Sequence, residues 1–514
     1  MHGARIESAR PCLHETAQVA CFPSDDRARA SVFRACAFYF ALTLAACVGA
    51  GVFSRPVVAD NRLYFFMAER AASGTPPHVS MIDTKSQLAT LLGGAAIAIG
   101  RSAGVDDVHA GRAASVVAAS AAVAGTALLA ASVAGSSVAG AIAALALLST
   151  RGFVDHAAIG FNPKIFLAAF LVWAHWVCAR NRPGAAGFLA GCAFLCWQPG
   201  LLGIAAVAAE TLLRHGVRRC ATVIMAALLP IALYQAYFLA NDAVGEQLVQ
   251  TYVMTLGSVH TRVAWAPSLL FLLTEARGHL PLRLAPLLCT VTIAASALIA
   301  ITRPRRALAM LQRQGAAISL LVAGAGAVLF TLYDHQGVPD LFFPAPYVAI
   351  GAGIAIAAAA RSAAVVGERA AAAVTVIAVA ALMVQLHGGG VQLPRSGRTL
   401  AEQRELAAVL ADLGEQHGGV WAYEAVHLLA LAHLENWVPV AQLYDDVASV
   451  MDIHAYRPQR DGRMPGIIVR GRGRLPGFDG YAAVYERIAN PAFGRDGLRL
   501  YRKLVTAEPE PPID

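Results

Sequence analysis

Apolar residues in this chain come in long blocks. The first covers residues 33–54 and follows Arg27, Arg29 and Arg34. Others lie near 87–100, 113–132, 135–149, 165–179, 185–209, 221–240, 263–274, 284–302, 316–333, 341–360 and 370–386. A helix needs about 20 apolar residues to cross a ~30 Å hydrocarbon core. The blocks therefore predict an all-α polytopic membrane protein with about eleven or twelve helices, some too short to span alone. After Gly388 the pattern changes. Residues 389–398 are a Gly/Pro/Arg linker, and Thr399–His417 places Leu400, Leu406, Val409, Leu410 and Leu413 on one helical face. The run 419–423 reads as a strand and Ala425–Leu434 as a helix. Gly466–Arg470 and Leu498–Arg502 read as strands around a helix near 479–489. The expected parts are a cytoplasmic tail (1–31), a multi-span domain (32–388), the linker (389–398) and a small α/β domain outside the cytoplasm (399–514).

Composition agrees with the pattern. The 514 residues are 57% hydrophobic and only 14% charged, where a soluble chain carries about 25% charged residues. A net charge of +8 raises nucleic acid as a partner. The basic residues instead gather in short turns between blocks, as in Arg180 to Arg182 and Arg214 to Arg219, which is how cytoplasmic loops are marked. No basic patch alternates with aromatics, so nucleic acid is excluded. Most of the nine cysteines fall inside apolar blocks and none forms a CxxC pair, which argues against a disulfide framework or a zinc site.

The first block reads as an uncleaved span with its N-terminus inside, a cleaved signal peptide being the rival. The loop that follows then lies outside. Arg62–Ala72 is an expected helix whose apolar face lies along the membrane interface. Residues 87–100 return the chain to the inside, where Arg101 and Arg112 sit. The next loop, Arg151–Asn162, falls inside if every block spans and outside if one short block is re-entrant.

Candidate chemistry gathers in Asp60–Lys85. A carboxylate such as Asp60 can accept a proton from an incoming hydroxyl. A second, Asp83, could help it hold a divalent metal ion, and Lys85 could pair with a phosphate. These residue types suit a phosphate-linked donor and a hydroxyl acceptor. The plain alternative for each acid is a solvated loop residue.

The order Asp60-Asn-Arg-Leu-Tyr64, Gly74-Thr-Pro-Pro77, Asp83-Thr-Lys85 resembles the first external loop of C-type (GT-C) glycosyltransferases, above all bacterial relatives of protein O-mannosyltransferases and aminoarabinose transferases. In that family an Asp follows the first span, and an acid precedes a Lys-Pro-Pro that opens the second. Here Ser86 and Gln87 replace the prolines, and His78 stands where Tyr is usual. Gly187–Gly200, with Trp197-Gln198-Pro199, is similar to a family helix ending in Gln-Pro. Asp334-His335-Gln336-Gly337-Val-Pro-Asp340 is similar to a late-span motif of dolichyl-phosphate-mannose mannosyltransferase-like members. The resemblance implies a sugar donor on a polyprenyl phosphate in the bilayer, a hydroxyl acceptor (glycan, lipid or protein), and inversion at the anomeric carbon. It implies a bacterial inner membrane with the site facing out. Asp60, Asp83 and Asp155 become catalytic candidates, with Asp60 and Asp83 as metal candidates. Tyr64, Lys85, Arg151, Gln198, Asp334, His335, Gln336 and Asp340 become substrate-binding candidates.

Simpler readings stand beside these. Asp340 can be an N-cap of the 341–360 helix, His156 a polar loop residue, Tyr234 and Tyr237 part of an interfacial belt, and Glu210 a partner of the basic turn after it. A transporter or flippase of a lipid-linked sugar is the alternative function. Against it, the ionisable residues sit at block ends and the two halves show no repeat. A non-catalytic scaffold would leave Asp60, Asp83 and Lys85 without a role.

Overall fold

The computed structural model describes residues 26–150, 152–257, 304–334, 337–364, 367–388, 398–442, 456–473, 475–490, 493 and 497–504. The blocks at 263–274 and 284–302, most of the tail and linker, and the candidates Arg151, His335 and Gln336 lie outside the described residues.

The chain is a multi-span helical bundle. Helices α1 (Asp26–Gly49), α2 (Asn61–Ala72), α3 (Pro77–Ser80), α4 (Leu88–Ser102), α5 (Asp107–Ala134), α6 (Ser137–Leu148), α7 (Phe153–Ile159), α8 (Pro163–Ala179), α9 (Pro183–Cys196), α10 (Leu201–His215) and α11 (Val217–Ala240) follow in order. After α12 (Val244–Leu248) a π-helical turn covers Val249–Met254. Then come α13 (Pro304–Tyr333), a 3-10 turn at Val338–Phe342, α14 (Ala345–Ala364) and α15 (Glu368–Gly388). Five of the described helices are long and apolar enough to cross a membrane, and α6 with α7, bent by 63°, would make a sixth.

Local chemistry fixes the helix ends. The Asp106 side chain accepts from the amides of Val108 and His109 at the start of α5, and Gly135 closes that helix with φ +61°. Pro163 opens α8 while Asn162 accepts from the Lys164 amide. Close packing is set by small residues. A Cβ on Gly187 or Gly191 would meet the carbonyl oxygens of Val223 or Ala227 at 2.0 and 2.4 Å, so α9 and α11 touch backbone to backbone.

Contacts at the helix ends place the loops. Arg112, near the start of α5, donates to the carbonyls of Val52, Arg55 and Pro56 beyond α1, and to Ile159 of α7. Ser115 donates to the Gly160 carbonyl. At the other end Arg361 of α14 reaches the Ala134 carbonyl that ends α5. The segment around Asp155 therefore shares one end of the bundle with Asp60.

The structure corrects four expectations. Helix α4 does not carry the chain across, and Arg101 and Arg112 stay at the Asp60 end. Arg101 donates to Glu69 and Ser73 of the preceding loop as well as to Asp107. Instead the 15-residue α4 lays its small face on α2, where a Cβ at Gly94 would meet the Ala68 carbonyl at 2.9 Å. Helix α2 is not an interfacial helix, since nearly every residue from Asn61 to Arg70 is buried. The block at 185–209 is not one helix, because Pro199 cannot continue it and a 3-10 turn at Gln198–Gly200 separates α9 from α10. Residues 479–489 form 3-10 turns and a strand rather than a helix.

The described residues of the C-terminal part carry a small four-stranded sheet with two helices, in part the α/β unit expected. Thr399 and Glu402 form a capping box that starts α16 (Leu400–His417). Strand β1 (Val420–Tyr423), α17 (Val426–Leu431), β2 (Ile467–Arg470), β3 (Tyr485–Ile488) and β4 (Arg499–Lys503) complete it. The sheet order is β1-β2-β4-β3, with β1 and β2 parallel and the other pairs antiparallel. This unit covers the Asp60–Lys85 loop. Gln403 exchanges two buried hydrogen bonds with the Val57 backbone, Arg62 donates to the Glu424 carbonyl, and the Ile82 amide donates to Pro439.

Candidate functional site

Asp60 stands where the chain turns into α2. Ala59 takes a left-handed φ of +52°, which costs a non-glycine residue about 1 kcal/mol or more. The turn leaves the Asp60 side chain exposed and uncommitted to capping α2. One turn on, Tyr64 is buried, with the Lys85 ammonium 5.8 Å from its ring centre. Burial raises the phenol's pKa above its ordinary value. Lys85 pulls it back, while Asp83 and Asp60 push it further up. Asp60, Tyr64, Asp83 and Lys85 thus share one electrostatic neighbourhood.

The strand of loop that carries Asp83 and Lys85 lacks the family's prolines, and hydrogen bonds hold it instead. Gln87 donates to Asp83 Oδ2 at 2.6 Å and to the Lys85 carbonyl at 3.0 Å, and its own amide donates to the Tyr234 hydroxyl. The Lys85 amide donates to Asp83 Oδ1 at 3.3 Å. Gln250, on the π-helical turn, accepts from the Asp83 amide, donates to the His78 carbonyl and pairs with His78 Nδ1. Gln198 donates to the Thr84 carbonyl at 2.7 Å, so this candidate binder grips the Asp83–Lys85 segment itself. Tyr234, expected in an interfacial belt, is buried under the same loop.

A second wall faces from α7, α8 and the turn before α14. Arg55 Nη1 and Asp155 Oδ1 are 2.7 Å apart, with the carboxylate nearly buried. His156, expected in a loop, is buried on α7 with its ring against Phe342. Lys164, on the first turn of α8, pairs with Asp340. Its ammonium also lies 4.3 Å from the centre of the Trp197 ring. Asp340 is not the cap of α14. Its Oδ2 accepts from the Gly337 amide and closes the 3-10 turn. Asp334 is half-buried at the end of α13. Glu210 pairs with Arg214 at the far end of the bundle, as the sequence led us to expect.

Arg55, Lys164, Gln87 and Gln250 were not among the sequence-derived candidates. Lys164 carried a signal. A cation in the first turn of a helix opposes the macrodipole and needs a reason. The other three are visible only once the loop is folded.

Of the carboxylates considered for a divalent metal ion, Asp60 is exposed, while Asp83 accepts hydrogen bonds from Gln87 and the Lys85 amide and Asp155 pairs with Arg55. Among the described residues, the group of three possible ligands is Glu69, Asp107 and His433. There the Arg101 guanidinium already bridges the two carboxylates at 2.7 and 2.6 Å.

Beside the Asp83–Lys85 segment an apolar cavity of about 600 Å³ opens between α4, α8, α9 and α11, lined by Leu88, Leu91, Phe170, Phe188, Leu195 and Tyr234 among others.

No family profile matches the chain, and no curated protein matches it. Solved structures do. ArnT from Cupriavidus metallidurans bound to undecaprenyl phosphate aligns with a TM-score of 0.56 at 14% identity, covering 91% of this chain and 98% of that one. The archaeal oligosaccharyltransferase AglB from Archaeoglobus fulgidus, in complex with an inhibitory peptide and a dolichol-phosphate, aligns with a TM-score of 0.54 at 13% identity, covering 87% and 70%. The chain therefore has the fold expected from the GT-C resemblance, the architecture it shares with ArnT and AglB.

Proposed function

We propose that the protein is a glycosyltransferase that moves a sugar from a polyprenyl-phosphate donor to a hydroxyl acceptor at the outer face of a bacterial inner membrane. The observation that carries this is the Asp60–Lys85 loop, held rigid beside an apolar cavity of about 600 Å³ in a fold shared with a structure bound to undecaprenyl phosphate. The cavity suits a prenyl chain, and Lys85, three residues before the lining residue Leu88, suits the phosphate. Arg180, Arg182, Arg214, Arg218 and Arg219 cluster around the turns after α8 and α10, at the end opposite Asp60, which supports the outward orientation.

In this reading Lys85 pairs with the donor phosphate, and Asp83 orients Lys85 through its amide. Asp60 accepts the proton of the acceptor hydroxyl as that oxygen bonds to the anomeric carbon. The carbon–oxygen bond to phosphate breaks on the opposite side, so configuration inverts and polyprenyl phosphate leaves with the electron pair. Asp155 lines the acceptor side, fixed by Arg55. Arg151, Asp334, His335 and Gln336 contribute to sugar or acceptor binding. No step runs through a metal ion.

The test is transfer of radiolabel from a panel of undecaprenyl-phosphate hexoses and pentoses in membranes containing the protein. Labelled glycan, lipid or protein is expected with at least one donor. Silence across the panel with correctly inserted protein would end the proposal.

A further inference from the structure

Lys164 breaks a local rule. It is a nearly buried cation on the first turn of α8, where the helix dipole disfavours positive charge. A buried ion pair is also no better for stability than apolar residues of the same size. Features that violate local preference without a stability gain are where function is to be sought.

Its contacts lead to the donor loop. Asp340 fixes the ammonium from one side, and the ammonium lies 4.3 Å from the centre of the Trp197 ring. Trp197 is itself buried, with Phe330 and Phe343 edge-on to its ring at 5.4 and 5.9 Å. The next residue, Gln198, leaves α9 in the 3-10 turn and donates to the Thr84 carbonyl at 2.7 Å and to the Thr251 carbonyl at 3.3 Å. Thr84 directly precedes Lys85. The same ion pair anchors the turn after α13, because Asp340 also accepts from the Gly337 amide.

We infer that Lys164 is a positioning residue for donor binding: paired with Asp340, it seats Trp197 so that Gln198 holds Thr84 and aims Lys85 at the donor phosphate. This rests on the proposed function, which supplies the phosphate as Lys85's target. Lys164 itself touches no reacting atom.

The experiment measures the Kd of undecaprenyl phosphate for the full-length protein in nanodiscs, together with kcat and donor KM in the transfer assay. The double variant K164M/D340L replaces the ion pair with apolar side chains of similar bulk. It is expected to raise Kd and donor KM about tenfold, the scale of one charge-assisted hydrogen bond, with kcat at saturating donor little changed. Q198A is expected to do the same, and combining it with K164M/D340L should add little, because both changes cut one chain of contacts. K164R, which keeps the pair, should bind the lipid phosphate like wild type. If K164M/D340L does not fold, W197L carries the reading and must likewise be non-additive with Q198A. Variants that bind like wild type, or whose effects multiply with that of Q198A, overturn the role of Lys164 alone. A wild-type protein that does not bind undecaprenyl phosphate overturns the proposed donor, and this role with it.

Discussion

Replacing Asp60 with Asn tests the chemistry at its narrowest point. The substitution keeps the size of the side chain and removes its ability to take a proton. Its structural cost is small, for three reasons visible in the fold. Asp60 is exposed, it makes no side-chain bond to the first turn of α2, and Asn serves as well as Asp at that helix position. Stability should therefore stay within about 0.5 kcal/mol of wild type. The loss of a general base lowers rates by roughly 10² to 10⁴, which is about 3 to 5 kcal/mol of barrier. Lys85 and its supports are untouched, so donor KM should move little while kcat collapses. The assay is radiolabel transfer in proteoliposomes at saturating donor, with thermal unfolding in detergent as the control for folding. D60N protein that unfolds like wild type and transfers within twofold of its rate would show that Asp60 is not the base.

Three further outcomes follow from geometry. G187A puts a methyl group 2.0 Å from the Val223 carbonyl oxygen, so α9 must separate from α11 at a cost of about 1 to 3 kcal/mol, seen as a lower melting temperature. Q403A strands the buried amide and carbonyl of Val57, costing about 2 kcal/mol or more, and limited proteolysis should then cut between the membrane domain and the C-terminal unit. Burial lowers the pKa of His78 from 6.5, with Gln250 and Asp83 opposing the shift. Above pH 6.5 the imidazole is neutral in both folded and unfolded chains. Below it the unfolded chain takes up a proton that folded His78 resists, so stability falls as the pH drops. The melting temperature of wild type should decline more steeply below pH 6.5 than that of H78Q, and parallel curves would refute the assignment.

The membrane character and the C-terminal unit were legible because each rests on one strong pattern: apolar blocks long enough to cross a bilayer, and a capping box before an amphipathic run. The path of the chain was not. Arg101 looked like a cytoplasmic marker, yet its charge is spent on Glu69 and Asp107 at the Asp60 end. Charge counting sees a residue but not its partner. The break at Gln198–Gly200 does not show in the apolar pattern, which continues on both sides of Pro199, and only the likeness to a helix ending in Gln-Pro pointed to it. Helix α2 reads as amphipathic by itself, and only the docking of α17 and α4 buries its second face. Asp60, Asp83 and Lys85, the candidates on which the proposed function rests, were singled out by residue type and order. Some of the hydrogen bonds that hold this segment are local, among Asp83, Lys85 and Gln87, but those from Tyr234, Gln250 and Gln198 come from 114 to 172 positions away, a distance no local pattern spans.

The cover over the loop has a consequence in time. Val57 and Gln403 are 346 residues apart in the chain. At about 5 to 20 residues per second, a ribosome takes roughly 20 to 70 seconds to travel between them. During that interval α1 and the Asp60–Lys85 loop are already made while the segment that covers the loop does not yet exist. A nascent chain is thus without the contacts that hold Val57, Arg62 and Ile82 in place. If the proposed function holds, competence to act arrives only when Gln403 and its neighbours dock, so chains truncated before Gln403 should leave lipid-linked sugars untouched.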